Sequence, residues 1–310
     1  MIKKSSIRRI CVATLALFIL LIIYFFPTKD FKTTKNLHYI KDNEMPIFLK
    51  DKNNYVARTT IIKKSNNTID QVKEIIKDLT KNSSNSSYIQ DGFTPLIPEN
   101  TKIIDLNLDK ETLTINFSKE LLNVDKENEE DMIEAITYSI LEIKEITNIK
   151  INIEGKPLEY LPNSNIKLPN TFDKTYGINK IYNIDSYKNT TKTTIYYLSK
   201  YNDSYYYVPI TKIENTNKEK VEIIIKELKS TPIYHTNLIS YLASSTNLTN
   251  YEILENNIKL SFNNNLIANI NNNEMIETVK YSIALSIRDT YGYNDISFKI
   301  LDNPEINLSI

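Results

Sequence analysis

Met132-Ile-Glu-Ala-Ile-Thr-Tyr-Ser-Ile140 reads almost the same as Met275-Ile-Glu-Thr-Val-Lys-Tyr-Ser-Ile283, with six of nine positions identical. Ile136 against Val279 also keeps an apolar side chain. So close a match at such a distance marks a duplicated unit. The register of the duplication decides the fold.

Upstream, Thr101–Phe117 lies without a gap on Thr246–Phe262, and Leu113, Ile115 and Phe117 fall on Ile258, Leu260 and Phe262. That period-two alternation predicts a strand with one buried face. Further out, Val72–Leu79 falls on Val221–Leu228, and Tyr55-Val56 on Tyr207-Val208. Downstream, Ile151-Asn-Ile153 falls on Phe298-Lys-Ile300. Each copy therefore reads strand, strand, helix, strand, strand, helix, strand. The Met132 helix carries Ile133, Ile136, Ile140 and Ile143, and its copy Ile276, Val279, Ile283 and Ile287, at helical spacing. Such a stripe covers one face of a sheet. The expectation is an α+β chain with two tandem α/β-sandwich repeats, each a sheet covered by two helices. At roughly 110–120 residues, each is large enough for its own core.

The boundaries follow from composition. The first domain spans 45–161, opening on a hairpin that turns at Asp51-Lys-Asn-Asn54. Thr68-Ile-Asp70 is expected to cap a helix running to Leu79, and Asn82–Ser87 is a polar loop. Pro162, Pro169 and Gly177 mark a linker over 162–192, and the second domain spans 193–306.

The amino end differs from the rest. Lys3, Lys4, Arg8 and Arg9 precede an uncharged apolar run, Ile10–Phe26, closed by Pro27. This reads as a short transmembrane helix over 10–26 with residues 1–9 cytoplasmic, a polar tether over 27–44 and the bulk of the chain outside the cytoplasm. Tyr24-Phe-Phe-Pro27 lacks the small residues of a cleavage site, and Cys11 opens the run instead of following it, which disfavours a lipid anchor. A sole cysteine permits no internal disulfide. Residues 1–30 hold five of the 38 basic groups and one of the 38 acidic groups, leaving 33 basic against 37 acidic beyond them. That balance argues against a nucleic-acid partner. Abundant Asn, Lys and Ile with no Trp is the bias an AT-rich genome would give.

Catalytic signatures are missing. His38 and His235, the only histidines, lie in different regions without partner ligands, so no metal site is expected. Nor is a cofactor, since Walker and Gly-x-Gly-x-x-Gly patterns are absent. Glu129-Glu-Asp131 could be paired carboxylates, but acidic groups also suit a solvated helix start, and repeat two has only Glu274 there. Ser164-Asn-Ile-Lys167 has none of the companion motifs of a serine hydrolase. The remaining candidate is a tyrosine cluster, Tyr196, Tyr197, Tyr201 and Tyr205–Tyr207. Aromatic residues favour strands, but exposed tyrosines also anchor interfaces. On the functional reading, Tyr205, Tyr206 and Tyr207 are the interface residues, for a protein or for the glycan of peptidoglycan.

Four places resemble tandem GerMN domains, the domain of sporulation and spore germination proteins. Tyr207-Val-Pro-Ile-Thr-Lys-Ile213 looks like the family's second strand, with Tyr55-Val-Ala-Arg as a weaker copy. Val221–Leu228 followed by Ser230-Thr-Pro232 looks like its first helix. Pro98-Glu-Asn-Thr101 through Asn116-Phe-Ser118 looks like its Pro-x-Gly-Thr and strand segment, and Ile151–Pro157 like its terminal strand and Gly-Lys turn. Asp302-Asn303 and Ser244-Ser-Thr246 depart from the pattern at loops, and the anchor departs from the lipoprotein form common in the family. The resemblance implies a fold similar to ring-building domains. It also implies a non-enzymatic extracytoplasmic protein that supports an envelope assembly between mother cell and forespore. Its partners would be sporulation envelope proteins, with peptidoglycan as the alternative.

Overall fold

The computed structural model describes residues 14–15, 40–41, 43–83, 89–186, 188–230, 237–269, 274–275, 277–301 and 305–310. The expected anchor, 10–26, lies outside the described residues except for Thr14 and Leu15, which are helical. Among the described residues no helix is long and apolar enough to cross a membrane. Cys11, His38 and His235 also lie outside the described residues.

Repeat one opens with strands β1 (Glu44–Asp51) and β2 (Val56–Ile62), the expected hairpin, with Lys50 opposite Val56. Its turn is held by Asp51, whose Oδ1 accepts the amides of Asn53 and Tyr55. Helix α1 (Thr68–Leu79) follows. Its cap is Asn67, one residue before the expected Thr68, and the Asn67 side chain accepts the Asp70 amide. Then come β3 (Phe93–Thr94), β4 (Ile103–Asp109), β5 (Thr112–Phe117), α2 (Glu129–Ile140), β6 (Asn148–Ile153) and β7 (Lys156–Pro157). The stretch between the repeats contributes β8 (Ile181–Asn183), and repeat two supplies β9 (Thr190–Tyr201), β10 (Ser204–Asn215), α3 (Lys220–Lys229), β11 (Leu248–Ile253) and β12 (Asn257–Phe262). It ends with β13 (Ile267–Asn269), β14 (Glu274–Met275), α4 (Glu277–Tyr291), β15 (Asp295–Ile300) and β16 (Ile306–Ser309).

The two copies match strand for strand where the alternation was clearest. β5 and β12 both bury alternate residues, and Leu113, Ile115, Phe117, Ile258, Leu260 and Phe262 are all fully buried. β5 pairs in parallel with β6, placing Ile115 opposite Ile151, and β12 with β15, placing Leu260 opposite Phe298. Each repeat thus owns a four-stranded sheet, β4-β5-β6-β7 or β11-β12-β15-β16.

The first hairpins do not join those sheets. They merge into one six-stranded sheet of order β3-β1-β2-β10-β8, with β9 on the other side of β10. β2 meets β10 at Arg58 opposite Tyr207. The expected single sheet per repeat is therefore corrected. Helix α2 is also enclosed instead of covering one face, with every residue from Met132 to Ile140 buried. One side meets β1, where the Phe48 amide donates to Ser139 Oγ at 2.8 Å and the rings of Phe48 and Tyr138 meet edge-on. Ile133, Ile136 and Ile140 share a continuous core with Leu113, Ile115 and Phe117. The helix ends at Ile140, before Ile143, and the chain turns there.

The outer strands of the shared sheet have unpaired amides that must find partners. On β9 they are met by hydroxyls of α4: the Tyr196 amide donates to Ser286 Oγ and the Thr194 amide to Thr290 Oγ1. Ser139 does the same for β1 at Phe48, beyond the reach of the short β3, which pairs only with Lys50 and Asp51. The helices thus cap the sheet edges as well as packing on them.

A close approach fixes the loop before β3. Gly92 has φ +94°, and a Cβ there would lie 2.6 Å from the Tyr201 ring. Gly92→Ala is expected to destabilise the fold by about 2 kcal/mol, from strain and displacement of Tyr201. Chemical denaturation checks this, and adding Tyr201→Ala should recover only the steric part.

Candidate functional site

The residues with the most chemistry gather where the repeats meet, within the compact unit Leu37–Ile310. Glu142, just past α2, has its side chain buried among three cations, with 4% of it exposed. Its Oε1 lies 2.9 Å from Lys174 Nζ, its Oε2 3.1 Å from Arg288 Nη1 and 3.7 Å from Arg58 Nη2. Asp289, in α4, answers from repeat two: its Oδ1 accepts Arg288 Nε at 2.9 Å, and its Oδ2 accepts Tyr196 OH and Lys174 Nζ. The Lys174 ammonium sits 4.4 Å from the Tyr138 ring centre, and Tyr138 OH donates to the Lys174 carbonyl. Burial pushes the Glu142 carboxyl up, but Arg288, Lys174 and Arg58 outweigh it and hold it well below the usual carboxylate range. Burial, reinforced by Asp289, drives the Tyr196 hydroxyl well above its ordinary value.

Lys174 belongs to the stretch read as a linker. That stretch is in fact a keystone. Phe172 bridges to Ile149, and the Thr211 amide donates to the Ile178 carbonyl. Asn179 fills the gap where β2 diverges from β10 at Pro209, which has no N–H to offer. Its Oδ1 accepts the Val56 amide at 2.9 Å, and its Nδ2 donates to the carbonyls of Val56 and Pro209 at 2.8 and 2.7 Å. Its own amide donates to Glu134 Oε2. Asn179 adopts φ +47°, a conformation that asparagine tolerates better than most residues. Next to it, Lys180 bonds Glu134 and Glu130 and lies 3.9 Å from the Tyr176 ring centre. Burial lowers the Lys180 pKa, but Glu134 more than reverses this, so the ammonium is held above its ordinary value.

The acidic start of α2 is not a solvated helix end. Glu129 is only 2% exposed and accepts the amides of Asn163 and Ser164 at 2.8 and 2.9 Å. Glu130 bonds Lys180, and Asp131 bonds Lys50 at 2.8 Å. All three carboxylates clamp other parts of the fold onto the helix. Among the described residues, no cluster of His, Cys, Asp and Glu could hold a metal ion.

The tyrosines divide. Tyr206 and Tyr207 are 4% and 2% exposed, which corrects their place in an exposed interface. β10 lies between β9 and β2 and is covered on both faces, so side chains of either parity point into packed layers. Tyr206 OH donates to Asp51 Oδ2 at 2.8 Å, and its ring meets Phe93 edge-on. Burial, with help from Asp51, pushes its hydroxyl up to about 12. Tyr205 alone of the three reaches the surface. It pairs with Tyr241, hydroxyl to hydroxyl at 2.9 Å, and Lys200 Nζ lies 5.5 Å from its ring centre.

Comparison with known proteins agrees with this architecture. Residues 36–159 match the family model described as Germane, sporulation and spore germination. The chain is 27% identical over 267 residues to the spore germination protein GerM of Bacillus subtilis, covering 84% of this chain and 72% of that protein. Its fold superposes on the solved tandem GerMN domains of the sporulation protein GerM from Bacillus subtilis with a TM-score of 0.76 at 25% identity, covering 84% of this chain and 91% of that one. Residues 36–159 thus match the sporulation and spore germination family, and with its repeats in the same order and a shared fold the chain is similar across both repeats to the tandem GerMN domains of GerM.

Proposed function

We propose that the protein is a non-enzymatic scaffold of sporulation or spore germination, anchored in the membrane by residues 10–26 and holding its two GerMN domains outside the cytoplasm. In a sporulating cell that places them between mother cell and forespore. The observation that carries this reading is the fusion of the repeats. Glu142, Asp289, Lys174 and Asn179 are all spent on holding one repeat to the other. A rigid pair near a membrane raises the local concentration of whatever binds it.

Crosslinking and affinity capture of the tagged full-length protein from sporulating cells tests this, against a control that keeps only the anchor. Enrichment of sporulation envelope proteins over that control is the expected result. Recovery of wall fragments alone would favour binding to peptidoglycan, a second reading supported by the exposed Tyr205–Tyr241 pair, since tyrosine rings can stack on sugars. On that reading the full-length protein in detergent sediments with purified cell wall, and Tyr205→Ala with Tyr241→Ala leaves it in the supernatant.

A further inference from the structure

Folded chains blunt their sheet edges with charge, proline, register shifts, very short strands or a cover, because an unpaired edge is a template for another strand. The other edges in this fold carry such devices. Ser139 meets the β1 amide at Phe48, and Ser286 and Thr290 meet those of β9. β3, β8, β13 and β14 have two or three residues each, and β7 stops at Pro157. β4 carries Asp105 and Asp109 and a register shift between Ile103 and Asp105. β11 shifts between Leu248 and Asn250, and Tyr251 and Asn247 tie it to Glu222 and Lys229 of α3.

β16 is the exception. It pairs with β15 in unbroken register, from Ile306 opposite Phe298 to Ser309 opposite Asp295, and the Ile310 amide extends the ladder to the Asn294 carbonyl at 3.0 Å. Ile306-Asn-Leu-Ser-Ile310 holds no charge and no proline. No strand lies beyond it among the described residues. Since the Ile310 amide turns to β15, the alternation of an antiparallel ladder turns those of Ile306 and Leu308 the same way and those of Asn307 and Ser309 outward. Ile306, Leu308 and Ile310 are half-buried at the margin of the core, while Asn307 and Ser309 are exposed.

This strand is complementary to itself. Turned about a two-fold axis at Leu308, a second β16 sets Ile306 opposite Ile310, Leu308 opposite Leu308 and Asn307 opposite Ser309. Apolar residues meet apolar ones, polar meet polar, and no like charges face each other. Asn307 and Ser309 are also the residues whose main-chain groups point outward, so in this register they exchange both hydrogen bonds. Moving the axis to Asn307 would set Ser309 opposite Glu305, which lies outside the strand and is bonded to Lys259.

We propose that two copies of this chain associate through β16, antiparallel about a two-fold axis at Leu308, joining their second-repeat sheets into one. Such a contact closes on itself and yields a dimer instead of a filament. Five residues of strand cover far less than the roughly 800 Å² per partner of a stable interface. The dimer is therefore weak and grows in with concentration. It goes beyond the scaffold reading and does not depend on it.

The test uses the full-length protein in detergent, with Cys11→Ser removing the native thiol. Leu308→Cys places the two thiols at a non-hydrogen-bonded pair, with Cα atoms about 4.5 Å apart and within reach of a disulfide. Ile306→Cys places them about 13 Å apart. Under a mild oxidant Leu308→Cys should form dimer at least about tenfold faster than Ile306→Cys. Mixing Ile306→Cys copies with Ile310→Cys copies should restore the crosslink. Adding Ser309→Pro to Leu308→Cys should abolish it, since proline removes an outward amide and leaves the ladder to β15 intact. Continued protection of the Ile306 and Leu308 amides shows that this variant keeps β16 in place. In the wild type, hydrogen exchange at Asn307 and Ser309 should slow as protein concentration rises, with β11 unchanged. Equal crosslinking of Leu308→Cys and Ile306→Cys, indifference to Ser309→Pro with β16 in place, or concentration-independent exchange at Asn307 and Ser309 would overturn the proposal.

Discussion

Glu142→Gln is expected to cost about 3–5 kcal/mol of folding stability, because removing one partner of a buried ion cluster strands the others. Glu142 faces Arg58, Lys174 and Arg288, and with its charge gone Asp289 alone must balance three cations. Asp289 cannot compensate, since its two oxygens already serve Arg288, Lys174 and Tyr196. Because the cluster draws on both repeats and the linker, the loss should appear as one cooperative transition moved to lower denaturant. Two resolved transitions in the wild type would mean that the repeats fold separately and that the shared sheet does not couple them.

The same group gives the protein an acid limit. The folded Glu142 carboxyl titrates well below its unfolded value, so its contribution is complete above the unfolded pKa and is lost as pH falls toward the folded one. Stability should therefore decline as pH drops below about 4.3, the ordinary value for a glutamate. The decline should be shallower in Glu142→Gln, which has no such proton to take up. Denaturation curves between neutral and acid pH, wild type against variant, measure the difference. Parallel curves would show that Glu142 is not the group responsible.

Asn179→Ala is expected to cost about 3 kcal/mol, from stranding backbone groups of β2 and β10 that have lost their partner. The Val56 amide and the carbonyls of Val56 and Pro209 all bond this one side chain. Alanine is also strained at φ +47°. Asn179→Gly separates the two causes, since it relieves the backbone and still removes the amide. It should recover roughly 1 kcal/mol. Asn179→Asp keeps an acceptor for the Val56 amide but loses the donor, and sets a carboxylate against two carbonyls, so it should be no better than alanine. Hydrogen exchange at Val56 is the specific readout. It should quicken in all but the aspartate variant, whereas a merely looser core would speed exchange equally in β5.

The GerMN relatives place these residues in a known fold, and the duplication explains why the fold was so readable. Strand alternation, helical stripes and the repeated nonapeptide are local patterns. They suffice for the main elements and their order, because each depends on residues whose spacing is visible in one copy and checked by the other, whereas the parallel pairing of β5 with β6 and of β12 with β15 comes from the tertiary structure. The expected anchor over 10–26 is read from an apolar run with a basic flank, and all of it but Thr14 and Leu15 lies outside the described residues.

What the copies do not share carries a signal of its own. In register, Arg58 falls on Ile210 and Glu142 on Leu285, and those apolar partners are fully buried or nearly so. A charge at a position whose copy is a core residue marks a place where one repeat meets something the other does not. The sequence by itself determined two repeats of one α+β fold, with their strands in register. Only the tertiary structure decided that the first hairpins fuse, that residues 162–192 lock the junction, that Glu129 and Glu142 are interior groups, and that Tyr206 and Tyr207 belong to the core. The physical reason is range: a helix or strand is specified by neighbours a few residues away. Whether a carboxylate or a phenol faces water or a buried partner depends on which distant edge packs against it.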